Sequence, residues 1–188
     1  MHQTNHMEGY SDEQILSFFR DPSSRNMAFN QLVKKYQKRL YSHIRRMVID
    51  HDDTDDVLQN TFIRVYTYLE SFKGESQLFT WMYRIATNES LSFLKKKRTR
   101  FFLPIVDVEH TLAGKLEADP YFQGDAIQLK LQKAILTLPE KQRLVFNMKY
   151  YDELTYDAMS EVLGTSVGAL KASYHIAVKK IENYLLKH

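Results

Sequence analysis

The sequence predicts an all-α protein with two helical domains joined by a flexible linker, and a helix-turn-helix in the second domain. Apolar residues recur at steps of three and four through most of the chain, and the alternation typical of β-strands is nowhere sustained. The periodicity fails between residues 99 and 125, where helix-breaking residues accumulate, namely Pro104, Gly114, Pro120 and Gly124. Compact domains seldom contain an unstructured segment of this length. We therefore expect domains at 1–98 and 126–188, with an acidic linker at 99–125.

Eight segments show the helical period. In the first domain they are residues 12–20, 26–49, 54–71 and 78–97, and in the second they are 126–137, 140–150, 156–163 and 167–186. The second domain is small, so burial of its apolar surface alone makes it only marginally stable.

Composition excludes several classes of protein. The chain has 188 residues, of which 44% are hydrophobic and 13% aromatic, and this is enough for one or two buried cores. It contains no cysteine, which excludes a disulfide framework and a thiolate metal site. Its N-terminal region has no uninterrupted apolar run long enough for a signal peptide or a membrane span. We expect a cytoplasmic protein with no direct insertion into a membrane.

No enzyme signature is present. The histidines are scattered, and neither a phosphate-binding P-loop nor a nucleophile elbow occurs. An acidic run suggests a calcium loop, but the sixth residue from Asp50 is Asp55 instead of Gly and the twelfth is Thr61 instead of Glu. We expect no catalytic residues, no metal, no cofactor and no small-molecule substrate.

Charge is distributed unevenly along the chain. Residues 1–100 contain 16 Lys and Arg against 12 Asp and Glu, residues 101–125 contain 1 against 5, and residues 126–188 contain 9 against 6. Two basic modules on either side of an acidic connector are typical of a protein that touches a polyanion at two places.

The acidic run lies at the predicted start of the third helix. Asp56 and Gln59 share one helix face by their spacing of three, which suits a polar docking surface. Acidic residues also collect at helix N-termini, because the helix dipole and the free N–H groups there favour anions. A purely stabilising role and a contact with a basic protein surface are both compatible with the sequence.

A polar loop that contains Gly74 precedes a helix rich in aromatic residues. Phe79, Met82 and Ile85 have helical spacing and are expected in the core. A loop beside aromatic rings and Arg84 is what a protein needs to accept an unstacked base. The sequence therefore indicates a single-strand binding site at this loop.

The aromatic helix ends in a basic run. Five of its last residues are cations: Lys95, Lys96, Lys97, Arg98 and Arg100. The helix dipole explains some of this charge, since it favours cations at a C-terminus. A phosphate backbone is the natural partner for the rest, and a merely solvated charge run is the alternative.

Residues 154–181 show the pattern of a helix-turn-helix, with the turn at Gly164 and Ser166 capping the second helix. The first helix is expected to bury Met159, Val162 and Leu163. The second has an apolar face formed by Val167, Leu170, Tyr174, Ala177 and Ile181. Its outward face presents Gly168, Lys171, His175 and Lys179. Small, cationic and hydrogen-bonding residues fit the DNA major groove, and a helical hairpin with a solvated face is the alternative.

The order of these parts resembles the extracytoplasmic-function class of bacterial RNA polymerase sigma factors, over about residues 10–186. The matching segments are residues 53–62, 72–76, 79–86, 138–143 and 165–171. Each segment is weak by itself, but five in this order at family-like spacing are highly specific.

The resemblance implies a non-catalytic initiation factor whose partners are core RNA polymerase and promoter DNA. The polymerase would be bound through Asp53, Asp56 and Gln59. The start-proximal promoter element would be bound and opened through Lys73, Gly74, Glu75, Ser76, Gln77, Arg84, Asn88, Lys95, Lys96, Lys97 and Arg98. The upstream element would be contacted by Ser166, Gly168, Lys171, Ala172, His175 and Lys179. An anti-sigma protein that sequesters the chain is a further candidate partner.

The chain departs from the family pattern at three positions. Asn60 stands where many members have Glu, and Ser173 and Ile176 stand where Arg is common. We expect an altered upstream sequence preference with fewer phosphate contacts.

Two other functions compete with this interpretation. A helix-turn-helix regulator that acts without polymerase would use its N-terminal half for dimerisation or effector binding, and would leave the loop and aromatic helix unexplained. A helical protein–protein adaptor would require neither the basic run nor a cationic helix face.

Overall fold

The computed structural model describes residues 9–101 and 126–187, and these residues form eight α-helices and no strand. The first four are α1 (Asp12–Arg20), α2 (Arg25–Val48), α3 (His51–Tyr68, continued by a 3₁₀ turn at Leu69–Ser71) and α4 (Leu78–Phe101). The others are α5 (Ala126–Leu136), α6 (Glu140–Tyr150), α7 (Tyr156–Leu163) and α8 (Val167–Lys187). The all-α prediction is confirmed. No described helix has the length and apolar character needed to cross a bilayer.

Two helix bounds differ from the prediction by more than one residue, when the 3₁₀ turn is counted with α3, and both differences have identifiable reasons. Helix α3 begins three residues early, because the Asp50 side chain caps it by accepting a hydrogen bond from the Asp53 N–H at 3.1 Å. Helix α4 continues to Phe101, so residues 99–101, predicted to belong to the linker, are helical. Cations near a helix C-terminus stabilise its last turns, and the basic run supplies them here. Linker residues 102–125 lie outside the described part of the chain.

The first four helices enclose the main apolar core. Among its fully buried side chains are Phe19, Leu32, Leu40, Ile44 and Tyr83. Of the three residues of α4 predicted to be in the core, Met82 is fully buried, Phe79 is buried and Ile85 is partly buried against the same cluster. The aromatic helix is thus held by its apolar face.

The C-terminal helices have a core of their own and also share the first one. Their own cluster contains Ala134, Ile135, Leu138, Phe146, Ala177 and Ile181. Other buried side chains of α6 and α7, including Leu144, Met148 and Met159, belong to the main cluster of the N-terminal helices. The two helical units therefore pack against each other through an apolar contact.

We expect the fragment 126–188 to fold as an independent helical unit of low stability, because it keeps its own core but exposes Leu144, Met148 and Met159. Exposing one such side chain costs about 1.5–3 kcal/mol. The fragment's thermal midpoint should therefore lie at least about 5 °C below that of the full chain. Circular dichroism measures the helix content and the thermal midpoint of the fragment and of the full chain. A fragment without helix, beside a helical full chain, would contradict the independence of this domain.

Candidate nucleic-acid and polymerase interfaces

The helix-turn-helix has the predicted local geometry. Thr155 caps α7 by accepting a hydrogen bond from the Ala158 N–H at 3.2 Å. Gly164 has a left-handed φ of 61°, and its N–H donates to the Ser160 carbonyl at 2.9 Å. Glycine adopts this conformation without the strain that a Cβ would cause. Ser166 accepts a long hydrogen bond from the Ala169 N–H at 3.4 Å, so the predicted turn and cap are both present.

Helix α8 separates a packed face from an exposed one. Leu170, Ala177 and Ile181 are buried, whereas Val167 and Tyr174 are half-buried. Tyr174 stacks on Phe146 with ring centroids 5.8 Å apart. The predicted DNA contacts are all exposed, namely Ser166, Gly168, Lys171, Ala172, His175 and Lys179. Their exposure is compatible with groove binding, and their contacts with bases stay a prediction.

Two residues of α8, Ser173 and Ile176, stand at positions where Arg is common in the family pattern. Ser173 is half-buried, whereas Ile176 is 44% exposed beside His175. An uncharged, partly apolar strip thus adjoins the predicted contacts, which agrees with the expectation of fewer phosphate contacts. Lys180 is exposed as well, but its Nζ donates to Gln142 Oε1 at 3.0 Å on α6.

The loop between the 3₁₀ turn and α4 opens onto a pocket. Gly74 has a φ of 75° with open space around it, and the other loop residues are exposed except for half-buried Phe72 and Ser76. The pocket has a volume of about 450 Å³, within the range of small-molecule sites. It is lined by Ser71, Phe72, Lys73, Glu75, Ser76, Thr80, Trp81, Arg84 and Glu161.

Aromatic and cationic groups meet in this pocket. The rings of Phe72 and Trp81 lie 5.2 Å apart at 50°, and exposed Arg84 is on the same wall. A nucleobase can stack on such rings while a cation contacts its phosphate. Asn88, another predicted contact, is exposed one turn beyond Arg84 but does not line the pocket.

Five residues that line the pocket were not among the predicted DNA contacts, namely Ser71, Phe72, Thr80, Trp81 and Glu161. Phe72 directly precedes the predicted loop, so its ring could have been included from sequence proximity. Thr80 is 6% exposed and faces the pocket from the first turn of α4. Glu161 comes from α7 in the other domain. No local pattern could have indicated that contact.

The basic end of α4 is partly engaged within the protein. Lys95 and Lys96 are exposed, whereas Arg98 is half-buried. The Lys97 ammonium forms an ion pair with the Asp53 carboxylate of α3, so two residues predicted for different partners are bound to each other. The available charge on this helix end is therefore smaller than the sequence indicates.

The polymerase-binding prediction falls on the exposed face of α3. Asp56 and Gln59 are exposed as expected, and so is Asn60, while Asp53 is half-buried by its ion pair. One turn beyond Gln59, Ile63 is 57% exposed, a position that the sequence analysis did not select. Acidic and polar groups beside an exposed aliphatic side chain are suited to binding a protein surface.

A buried polar network joins the two domains. Asp152, in the loop between α6 and α7, accepts hydrogen bonds from the Tyr83 hydroxyl and the Arg46 guanidinium. Its Oδ2 also lies 3.5 Å from Nδ1 of His43, which is fully buried. Nε2 of His43 lies 3.0 Å from the Thr87 hydroxyl. This network connects α2 and α4 to the C-terminal domain.

Protonation states in the network follow from their surroundings. Burial by itself would raise the pKa of Asp152, but His43, Arg46 and Tyr83 outweigh it and lower that pKa. Burial and the charge of Asp152 raise the pKa of Tyr83 well above its usual value. Tyr83 therefore stays protonated, and its hydroxyl donates a hydrogen bond to the Asp152 carboxylate. In the part of the chain that the structure describes, no cluster of His, Asp and Glu is arranged for a metal ion.

Comparison with known proteins agrees with both domains. Residues 32–100 match the family described as Sigma-70 region 2, and residues 128–181 match that described as Sigma-70, region 4. The chain is 34% identical over 156 residues to the ECF RNA polymerase sigma factor SigW of Bacillus subtilis strain 168, spanning 79% of this chain and 83% of that protein. It is 31% identical over 171 residues to the ECF RNA polymerase sigma-E factor of Escherichia coli strain K12, spanning 83% of this chain and 85% of that protein.

Solved structures show the same fold. The sigma factor RpoE in complex with the anti-sigma factor NepR, from Bartonella quintana, superposes with a TM-score of 0.66 at 19% identity, covering 84% of this chain and 96% of that one. CnrH in complex with the cytosolic domain of CnrY superposes with a TM-score of 0.66 at 22% identity, covering 93% of this chain and 97% of that chain. With two sigma-70 regions in order and relatives above 30% identity along most of its length, this protein belongs to the ECF RNA polymerase sigma factors, non-catalytic factors that direct promoter-specific transcription initiation.

Proposed function

We propose that the N-terminal domain captures an unstacked base of the start-proximal promoter element, while the C-terminal domain contacts the upstream element as duplex. The observation that supports this division most strongly is the pocket beside the loop 73–77, where Phe72 and Trp81 offer stacking surfaces and Arg84 offers charge. Single-strand capture needs such a pocket, whereas duplex recognition needs an exposed helix such as α8.

Polymerase binding is assigned to the exposed face of α3. Asp56 and Gln59 supply polar groups and Ile63 supplies apolar area. Asp53 contributes once its ion pair with Lys97 has opened. The protein would act in the cytoplasm, where polymerase and promoter DNA are present. Two similar solved structures are complexes with anti-sigma or partner proteins, which makes an anti-sigma protein a candidate partner here too.

The direct test uses core polymerase and sheared genomic DNA. Core polymerase with the chain should retain particular fragments in a salt-sensitive complex and open them, and core polymerase alone should not. Permanganate footprinting of the retained fragments locates the opened strand. Retention of the same fragments by the chain without polymerase would favour a plain helix-turn-helix regulator, and no retention in any mixture would favour an adaptor.

We expect Lys171→Ala and His175→Ala to change upstream-element recognition without weakening polymerase binding, because both side chains are exposed on α8. Loss of one base contact should reduce the preference for the matched site by about 1–3 kcal/mol. Competition between matched and scrambled upstream sequences measures this preference.

Lys180→Ala is the matched control for these variants. It removes the same charge from the same helix, at a side chain already bonded to Gln142. The assignment of Lys171 and His175 fails if both variants keep the wild-type ratio of matched to scrambled binding.

A further inference from the structure

The Lys171 side chain, a predicted base contact, lies against an aromatic ring in this structure. Its Nζ is over the ring of Tyr156, 5.7 Å from the ring centroid. A lysine ammonium within about 6 Å of a ring centroid is attracted by the negative face of the ring. Although Lys171 is exposed on α8, its ammonium therefore has a preferred position before any DNA is bound.

The Tyr156 ring is fixed more firmly than the lysine. Tyr156 is the first residue of α7, directly after the cap that Thr155 forms with the Ala158 N–H. Its half-buried ring packs against the apolar cluster that contains Met159 and Leu170. A lysine side chain, in contrast, has a flexible stem of methylene groups. The ring therefore sets the position of the ammonium.

A second ammonium lies at the same ring. The Nζ of Lys149 on α6 is 5.1 Å from the Tyr156 centroid, and it donates a hydrogen bond to the Leu154 carbonyl at 3.1 Å. This bond restrains Lys149 at the turn between α6 and α7. Because like charges repel, the restrained ammonium disfavours conformations in which Lys171 bends toward that turn. Lys171 is thus attracted to the ring and kept away from α6.

We propose that Tyr156 is a positioning residue, which holds the Lys171 ammonium so that it contacts one base position of the upstream element in preference to its neighbours. This inference rests on the proposed role of Lys171 as a base contact. An unrestrained ammonium is a flexible point charge that can also bind a phosphate or a neighbouring base. A side chain already held in its bound position loses less conformational freedom on binding, which favours the held contact over these alternatives. Tyr156 acts through Lys171 and needs no base contact of its own.

The first test measures the base preference of the holoenzyme in a pool of promoter DNA with a randomised upstream element. Sequencing of the bound and the input DNA gives the preference at each position, and Lys171→Ala identifies the position that Lys171 contacts. Tyr156→Leu should reduce the preference at that position by about two- to fivefold, the factor that corresponds to a cation–π contact at an exposed site. Preferences at the other positions should stay as in the parent. Tyr156→Phe keeps the ring and should keep the whole profile.

Two further variants separate positioning from a general loss of structure. The double variant of Tyr156→Leu and Lys171→Ala should lose no more preference than Lys171→Ala alone, because a positioning residue has no effect without the group that it positions. Tyr150→Leu is the matched control. It removes another tyrosine ring of the same domain, 52% exposed and stacked on Phe146. Its base preference should equal that of the parent.

The second test uses the chain without DNA. A proton above the face of an aromatic ring is shifted upfield by the ring current, so the ε-methylene protons of Lys171 report the contact. In carbon-13 correlated NMR spectra their signals should lie upfield in the parent and in Tyr156→Phe, and should move to the ordinary lysine position in Tyr156→Leu. The parent and Tyr156→Phe spectra test the contact independently of the stability of Tyr156→Leu.

Four results would overturn the proposal. Ordinary lysine shifts for Lys171 in the parent show that the ring does not hold the ammonium. An even loss of preference at all positions in Tyr156→Leu assigns a structural role to the ring. An unchanged profile in Tyr156→Leu, beside a changed one in Lys171→Ala, shows that Lys171 contacts its base without positioning and leaves the proposed function intact. An unchanged profile in Lys171→Ala overturns the proposed base contact itself, and the positioning role with it.

Discussion

Replacing loop residues 73–77 with alanine will leave the holoenzyme able to bind closed promoter duplex, but will reduce strand opening by about two orders of magnitude. Extruding a base costs a few kcal/mol, and a captured base in the pocket of Phe72, Trp81 and Arg84 offsets that cost. Without the side chains of Lys73, Glu75 and Ser76, the pocket loses part of the lining beside the rings and the cation. Fluorescence of 2-aminopurine placed in the start-proximal element reports the opening, because its emission rises when the base is unstacked.

A single substitution at Gly74 tests the same loop with a smaller structural change. Gly74 has a φ of 75° and no atom within 4 Å of the position of an added Cβ. Gly74→Ala therefore acts through backbone strain alone, at about 1–2 kcal/mol. It should give a smaller opening defect of the same kind, whereas Gly9→Ala, also in open space but without positive φ, should give none. If the polyalanine loop opens DNA as well as the parent does, the base-capture mechanism must be abandoned for this loop.

Neutralising Lys95, Lys96, Lys97, Arg98 and Arg100 together will weaken promoter binding by the holoenzyme and flatten its salt dependence. Each lost phosphate contact lowers the slope of log affinity against log salt by about 0.9. Exposed Lys95 and Lys96 should each have this effect as single alanine variants. The Lys97 variant should show a smaller decrease in this slope, because the Lys97 ammonium is already paired with Asp53. Filter binding or anisotropy over a range of salt concentrations gives the slopes.

Lys34→Ala is the control for charge alone, since Lys34 is an exposed cation of the same domain on α2. Its slope should equal that of the parent. An unchanged slope in the five-residue variant would assign the basic run to solvent and to stabilisation of the end of α4.

Local sequence signals were sufficient for the helices and for the helix-turn-helix. Gly164 and Ser166 act on their own neighbours through a left-handed turn and a cap, so their effects could be predicted without knowing the fold. The start of α3 was placed too late, because capping by Asp50 was not distinguished from the acidic run that follows it.

Contacts between distant residues could not be predicted in the same way. Asp152 lies 69 residues from Tyr83 and 106 from Arg46, and no period or motif relates these positions. Glu161 occupies an ordinary exposed site of a short helix until packing places it in the lining of the same pocket as Trp81 and Arg84. The candidate residues of each domain were therefore largely accessible from sequence, whereas the contacts that join the domains depended on the assembled core.

The ion pair between Lys97 and Asp53 has a thermodynamic consequence for the order in which partners bind. Each charge neutralises the other, so a polymerase that takes up the Asp53 carboxylate releases the Lys97 ammonium for a phosphate. Linkage makes this effect reciprocal: DNA bound at Lys97 strengthens polymerase binding by the same factor by which polymerase strengthens DNA binding. Under the proposed assignments, the polymerase-binding and DNA-binding surfaces of this domain are therefore coupled, because binding at either surface breaks the same ion pair.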